Sequence, residues 1–144
     1  MSKIEYSSES RNLGTTLTHV QFDEIIEGTF VIPKEVVHVG KYAFFANPYL
    51  KEINIHDNII SIGNYAFACC KKLETVTIDV GVVEIGEFAF ADCLSLKTIV
   101  IPDTVISIEP YAFAFCPSLK EITISRNCKF NKPFSSSFVV KYYD

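Results

Sequence analysis

The chain has 144 residues, of which 49% are hydrophobic, and carries a formal net charge of −4. This length and apolar content suit one domain with a sizeable core. The mixed, slightly acidic charge excludes the basic stripe of a nucleic-acid surface and a polybasic membrane patch, and no apolar run approaches the roughly 18 residues of a membrane span.

The amino-terminal segment, 1–18, is polar and shows no hydrophobic periodicity. Such a composition cannot bury enough apolar surface to order itself, so we expect residues 1–18 to form a flexible arm. The segment also lacks the basic start and the apolar run of a secretory signal. This favours a cytoplasmic protein, with the nucleus or the cell surface as alternatives.

Residues 19–28 contain apolar side chains that do not match the repeat that follows, among them Val20 and Phe22. Since the first coil of a stacked array is open on one side, we expect this segment to cover it as a cap. His19-Val20-Gln21-Phe22 also resembles the R/K-V-x-F peptide with which regulators dock on type 1 protein phosphatase. That resemblance implies docking by strand addition to a phosphatase catalytic subunit.

From residue 29 to residue 124 the sequence repeats with a constant period. The period equals the separation of Phe44 and Phe67 along the chain. A period of this length is typical of a solenoid, in which each repeat is one coil and buries its apolar face only against its neighbours. Corresponding side chains should then stack about 4.8 Å apart. We therefore expect a buried phenylalanine file made of Phe44, Phe67, Phe90 and Phe113.

Within one coil, Leu50 is followed by a strand with alternating inward residues and then by a second extended piece that ends at Gly63. We expect the remaining segment, 64–70, to be helical or 3₁₀, because Pro110 stands where the equivalent segment of a later coil begins. Glu109 replaces the repeated glycine directly before that proline, and a residue in that place takes a negative φ. The glycine column is therefore expected to serve close packing.

The register is lost after Ile124, and residues 125–144 are expected to form a carboxy-terminal cap. In this cap, 125–137 has the composition of a loop and 138–143 that of a last strand. Without such a cap the final coil would expose a sheet edge that invites pairing with another chain.

The sequence shows no arrangement of residues that points to catalysis. It has no phosphate-binding loop, nucleophile elbow or zinc-ligand spacing, so we expect a protein that is not an enzyme and that has no cofactor and no metal. Cys70, Cys93 and Cys116 share one column, in which free cysteine serves as a small hydrophobe. Neighbours about 4.8 Å apart in that column are slightly too distant for disulfide geometry.

The segment from Leu50 to Asn58 follows the pattern L-x-x-L-x-L-x-x-N, and Ile62-Gly63, Ala66-Phe67 and Cys70 complete the repeating unit. This unit resembles the BspA-like class of leucine-rich repeats. The resemblance implies a curved leucine-rich repeat solenoid with short parallel strands on the concave face. With the turns and caps expected above, the prediction is an α/β solenoid with short helical or 3₁₀ turns and a cap at each end. The resemblance also implies a non-enzymatic binder of proteins, and bacterial relatives are surface adhesins for host matrix proteins.

The outward side chains of the strand array form the candidate binding surface, which we call the strand face. Its residues are Thr29, Val31, Glu52, Asn54, Thr75, Thr77, Thr98, Val100, Glu121 and Thr123. Threonine also suits any exposed strand, so a purely structural role is an open alternative. A second outward column, His38, Ser61, Glu84 and Ser107, is expected to be structural.

Three functional hypotheses follow from these features. The first is a protein-protein interaction module that binds a protein ligand through the repeat surface. The second is an inhibitory regulatory subunit of type 1 protein phosphatase that docks through His19 to Phe22. The third, implied by the resemblance, is a surface adhesin that binds extracellular matrix protein. The open ends of the stack leave self-association undecided.

Overall fold

A computed structural model describes residues 5–8, 14–130 and 138–144. These residues form short strands and one 3₁₀ turn at Phe22–Glu24. The strands are β1 (Glu5–Ser8), β2 (Thr15–His19), β3 (Thr29–Phe30), β4 (Val36–Val39), β5 (Glu52–Ile55), β6 (Ser61–Ile62), β7 (Thr75–Ile78), β8 (Glu84–Ile85), β9 (Thr98–Val100), β10 (Ser107–Ile108), β11 (Glu121–Ser125), β12 (Lys129–Phe130) and β13 (Val139–Tyr143).

The strands form two sheets that run along the length of a solenoid, which confirms the leucine-rich repeat fold. One sheet has six strands in the order β13-β11-β9-β7-β5-β3, and the other has seven in the order β1-β2-β4-β6-β8-β10-β12. Every pairing between these described strands is parallel except that of β1 with β2. Ile53 pairs with Val76, one period along the chain, so equivalent residues of successive coils stand side by side.

The core between the two sheets contains the expected phenylalanine file. Its rings are fully buried and stacked nearly parallel, with centroids 4.8, 5.1 and 5.4 Å apart along the file. Phe30 meets Phe44 edge-on at one end, and Phe138 meets Phe113 edge-on at the other. The file therefore runs through all four complete coils and is closed by a ring at each end.

The segments that link the two sheets are runs of β-turns, in place of the helical or 3₁₀ turns that we expected. In the second coil, Ala66 N–H donates to Gly63 O within the coil, whereas Phe67 N–H donates to Ala89 O of the next coil. This alternation gives successive coils a third line of hydrogen bonds. In a helix the same N–H groups would bond within the segment. Tyr65 and Cys69 adopt positive φ, as the third residue of a type II turn requires. No helix in the described part of the chain has the length and apolar character needed to cross a membrane.

The glycine column serves close packing, as expected. Gly40, Gly63 and Gly86 do not have positive φ. A Cβ built on Gly63 would lie 2.8 Å from Lys41 N and 2.9 Å from Gly40 C of the preceding coil. The absence of a side chain thus lets adjacent coils approach at backbone contact distance.

The flexible arm that we expected at residues 1–18 is wrong for its last residues, which belong to the fold. Residues 15–19 form β2, which pairs in parallel with β4, and Leu17 is completely buried. Leu17 lies opposite Val39, and the distance between them along the chain is one residue less than the period. The coil that begins with β2 therefore does not match the repeat pattern in the sequence. Residues 1–4 and 9–13 of the predicted arm lie outside the described residues.

The predicted cap segment 19–28 covers the first coil in part with buried side chains. Val20 is buried, and its N–H donates to Ala43 O at 2.9 Å. Ile26 and Thr29 then form an antiparallel bridge with hydrogen bonds in both directions. These bonds occupy the backbone groups of Thr29 that would otherwise face outward from β3.

At the carboxy-terminal end, the expected last strand is present as β13, and it pairs in parallel with β11. Phe138, directly before β13, is buried against the core. The seven-stranded sheet ends in β12, within the segment that we expected to be a loop. Residues 131–137 of that expected loop lie outside the described residues.

Candidate functional site

The strand-face residues lie in two adjacent rows on the six-stranded sheet. The pairing register places Glu52 beside Thr29 and Thr75, and Asn54 beside Thr77. Thr98 and Val100 continue the two rows into Glu121 and Thr123. Most of these side chains are exposed, whereas Thr29, Glu121 and Thr123 are half-buried.

Two depressions lie on the strand face and share one wall. The first, of about 430 Å³, is lined by Thr29, Phe30, Val31, Glu52, Ile53, Asn54, Thr75 and Thr77. The second, of about 360 Å³, is lined by Glu74, Thr75, Val76, Thr77, Ile78, Thr98, Ile99, Val100 and Pro102. Because Thr75 and Thr77 border both depressions, the two form one shallow surface across four strands.

The chemistry of the strand face is that of short hydroxyl and amide groups around two exposed valines. Threonine hydroxyls and Asn54 offer hydrogen-bond donors and acceptors, and the exposed Val31 and Val100 offer apolar contacts. At the carboxy-terminal end, Glu121 accepts from the Lys141 ammonium at 2.7 Å. Such a surface offers hydrogen-bond and apolar contacts side by side.

The second outward column brings a histidine and a serine together. His38 Nδ1 lies 2.6 Å from Ser61 Oγ, and Ser61 pairs with Glu84 on its other side. The serine therefore stands between the histidine and the carboxylate. A hydrolytic triad has the histidine between the serine and the carboxylate, and Glu84 does not occupy that position relative to His38.

The sequence His19-Val20-Gln21-Phe22 is placed in the cap with its two apolar side chains in different environments. Val20 is 1% exposed and belongs to the core, whereas Phe22 is 45% exposed and packs edge-on against Tyr49 at 6.4 Å. A docking peptide inserts both side chains into a partner. Docking through this motif would therefore require Val20 to leave the core.

A second exposed surface was missed by the sequence analysis. Tyr42, Tyr65, Phe88 and Tyr111 form an aromatic ridge on the turn side, with neighbouring ring centroids 5.0 to 5.1 Å apart. Small side chains, Ala68, Ala91 and Ala114, pack beside it in a separate apolar cluster. The signal was available, because these aromatics recur with the same period as the phenylalanine file and stand two positions before it in each coil.

The cysteine column is structural. All five cysteines are free, and the Cys70 thiol lies 3.1 Å from Phe44 O, to which it donates. Burial raises the pKa of Cys70 to about 12 and that of Cys116 to about 11, which suppresses thiolate formation. Asn47, in the same column, accepts instead from the N–H groups of Tyr49 and Leu50. Among the described residues, no group of three or more His, Cys, Asp or Glu side chains could hold a metal ion.

Sequence comparison identifies the repeat. The profile of the BspA type leucine-rich repeat region matches residues 15–138 in six copies. No curated protein matches the chain.

Solved structures of bacterial leucine-rich repeat proteins have the same fold. A leucine-rich cell surface protein from Faecalibacterium prausnitzii A2-165 has a TM-score of 0.81 and 26% identity, over 100% of this chain and 39% of its own. The pneumococcal vaccine antigen PcpA has a TM-score of 0.78 and 25% identity, over 96% of this chain and 37% of its own. A leucine-rich repeat protein from Bacteroides capillosus has a TM-score of 0.78 and 25% identity, over 86% of this chain and 95% of its own. This chain thus spans well under half of the first two proteins.

Proposed function

The chain belongs to the BspA-type leucine-rich repeat family, and on that premise we propose that it is a non-enzymatic interaction module that binds a protein ligand on the strand face. The observation that carries the proposal is the joined pair of depressions along that face. Parallel strands there hold rows of hydroxyl groups in a fixed arrangement, so a ligand would meet an already ordered surface. Such preorganisation lowers the entropic cost of association.

The position of the valines supports a ligand that crosses several strands. Val31 directly follows β3 and Val100 ends β9, three strands away in the sheet, and the polar Asn54 and Thr77 lie side by side on the two strands between. A ligand with apolar contacts at both ends and hydrogen bonds between them would match this arrangement. Protein interfaces draw most of their affinity from a few buried residues that a polar rim surrounds.

A surface adhesin is the second candidate function. It is favoured by the similarity to a protein described as a leucine-rich cell surface protein. The cytoplasmic location expected from the sequence has no support from the similar structures, and the same strand face would serve an extracellular ligand equally well. Docking on a phosphatase has no supporting observation, because Val20 is in the core.

The test is affinity capture from the source cells with matched variants, followed by mass spectrometry. Thr75→Arg/Thr77→Arg places two bulky charges where the depressions meet. The control, Ser61→Arg/Glu84→Arg, changes two outward side chains of the opposite sheet. We expect a ligand that is captured by the intact chain and by the control and is lost with the strand-face variant.

The capture experiment and two further measurements separate the candidate functions. Equal capture by both variants would refute strand-face binding. Labelling of intact source cells with a membrane-impermeant reagent separates the adhesin from an internal module, since only an exported chain would be labelled. Phe22→Ala tests the docking alternative without disturbing the core, because Phe22 is largely outside it.

A further inference from the structure

The six-stranded sheet ends differently at its two ends. At the amino-terminal end, the bridge between Ile26 and Thr29 occupies the outward backbone groups of β3. At the carboxy-terminal end, β13 is the last strand, and among the described residues it pairs only with β11. Among the described residues, the sheet is therefore closed at β3 and open at β13.

The open edge presents the backbone groups of two residues. Val139 N–H donates to Lys120 O at 2.8 Å, and Tyr143 O accepts from Arg126 N–H at 3.1 Å, so both residues direct their backbone toward the β11 side. Because a parallel pair uses every second residue, Lys141 does the same. The N–H and C=O groups of Val140 and Tyr142 consequently point away from the sheet.

This edge lacks the usual protection against pairing. It contains no proline, and its one basic side chain, Lys141, is held by Glu121 at 2.7 Å. An inward or edge lysine normally discourages strand addition through its charge. Here the lysine is paired with a carboxylate, and Val139 (59% exposed) and Tyr142 (53% exposed) add exposed apolar surface beside the edge.

We propose that β13 is a self-association site at which a second copy of this chain adds its own β13 in antiparallel orientation. In this arrangement Val140 of each copy lies opposite Tyr142 of the other, around a two-fold axis at Lys141. The outward N–H and C=O groups of these four residues then bond to one another. The closed end at β3 prevents head-to-tail growth, so the arrangement ends as a two-fold dimer and not as a fibre.

The second copy is favoured over a foreign peptide by the match of the two edges. A peptide that adds to an edge takes its specificity from side-chain pockets beside the strand. An identical antiparallel strand instead places Tyr143 opposite Val139 and Tyr142 opposite Val140, so every valine of the edge meets a tyrosine. The dimer would double the six-stranded sheet and place two strand faces in one surface, which raises the apparent affinity for a ligand with two sites.

Sedimentation velocity of the full chain over about 1 to 100 µM measures the association directly, because a dimer dissociates on dilution. We expect a dimer that becomes monomeric in Tyr142→Pro, which removes one outward N–H at an edge position where proline is tolerated. Glu121→Gln should weaken the dimer at least tenfold by exposing the two facing lysine charges, and Glu52→Gln, on the same face at the far end, should not. A monomer at every concentration, or a dimer unaffected by Tyr142→Pro, would overturn the proposal.

Cysteine cross-linking tests the register and remains decisive if the proline variant does not fold. In a Cys69→Ser/Cys128→Ser background, Lys141→Cys should form a disulfide between copies when oxidised glutathione is added, since the two positions face each other across the axis. Val139→Cys lies on the same face but opposite Tyr143 of the second copy, so it should remain reduced. Equal cross-linking at both positions would reject the proposed pairing.

Discussion

Replacement of Phe90 by alanine measures how far the phenylalanine file holds the coils together. Phe90 has 0% exposure and stacks on Phe67 at 5.1 Å and on Phe113 at 5.4 Å, each within 2° of parallel. Truncating a buried phenylalanine costs about 3 to 5 kcal/mol, because burial is lost and a cavity remains. The ring also loses two aromatic neighbours, each worth about 0.5 to 1.5 kcal/mol. We expect a loss in the free energy of unfolding in the upper part of that cavity-forming range.

Phe88→Ala is the matched control. Phe88 lies two residues away and stacks on Tyr65 and Tyr111 at 5.0 and 5.1 Å, but it is only half-buried on the aromatic ridge. Its loss removes the same number of stacked neighbours without opening a core cavity, so we expect a cost of about 1 to 2 kcal/mol.

Urea titration followed by far-ultraviolet circular dichroism gives both values. The slope of unfolding free energy against urea should match that of the intact chain, which shows that the same surface is exposed on unfolding. A loss below about 1 kcal/mol for Phe90→Ala, or equal losses for the two variants, would refute a core organised around the file.

Three further predictions concern the glycine and cysteine columns. Gly63→Ala should cost about 1 to 3 kcal/mol in urea melts, because its Cβ would meet the preceding coil's backbone, whereas Lys72→Ala on the surface should be nearly neutral. In the native state a thiol reagent should modify Cys69 and Cys128 only, with all five thiols reacting in urea; reaction of the buried column without unfolding would contradict its packing. The contribution of the buried thiols to stability should be constant below about pH 8.5 and fall toward pH 11, because unfolded thiols lose protons that the raised pKa of Cys70 (about 12) retains in the fold. A urea midpoint unchanged between pH 8 and pH 10 would refute this linkage.

The parts of the fold that could be predicted from the sequence are those fixed by periodicity. The spacing of Phe44, Phe67, Phe90 and Phe113 was sufficient to predict a stacked file, because identical side chains at one period must occupy equivalent places in the coils. The proline after Glu109 likewise showed that the glycine column did not need positive φ. Both inferences depend on physical constraints that act at single positions.

The turn geometry and the first coil could not be predicted in the same way. Tyr65 and Cys69 adopt positive φ although neither is a residue that favours it, and the hydrogen bonds from coil to coil that stabilise this geometry leave no local signal. β2 was missed because Leu17 is displaced by one residue from the period. The rows of the strand face could be predicted from alternation, but the depressions on them depend on side-chain heights that a pattern does not contain.

Photo-cross-linking is the most direct test of strand-face binding. Benzoylphenylalanine placed at Thr77 lies where the two depressions meet, and placed at Ile106 it lies exposed among the outward residues of the opposite sheet. With the ligand identified by affinity capture, we expect a covalent adduct from position 77 and none from position 106. An adduct from position 106 alone would show that the ligand binds elsewhere on the solenoid and would contradict binding at the strand face.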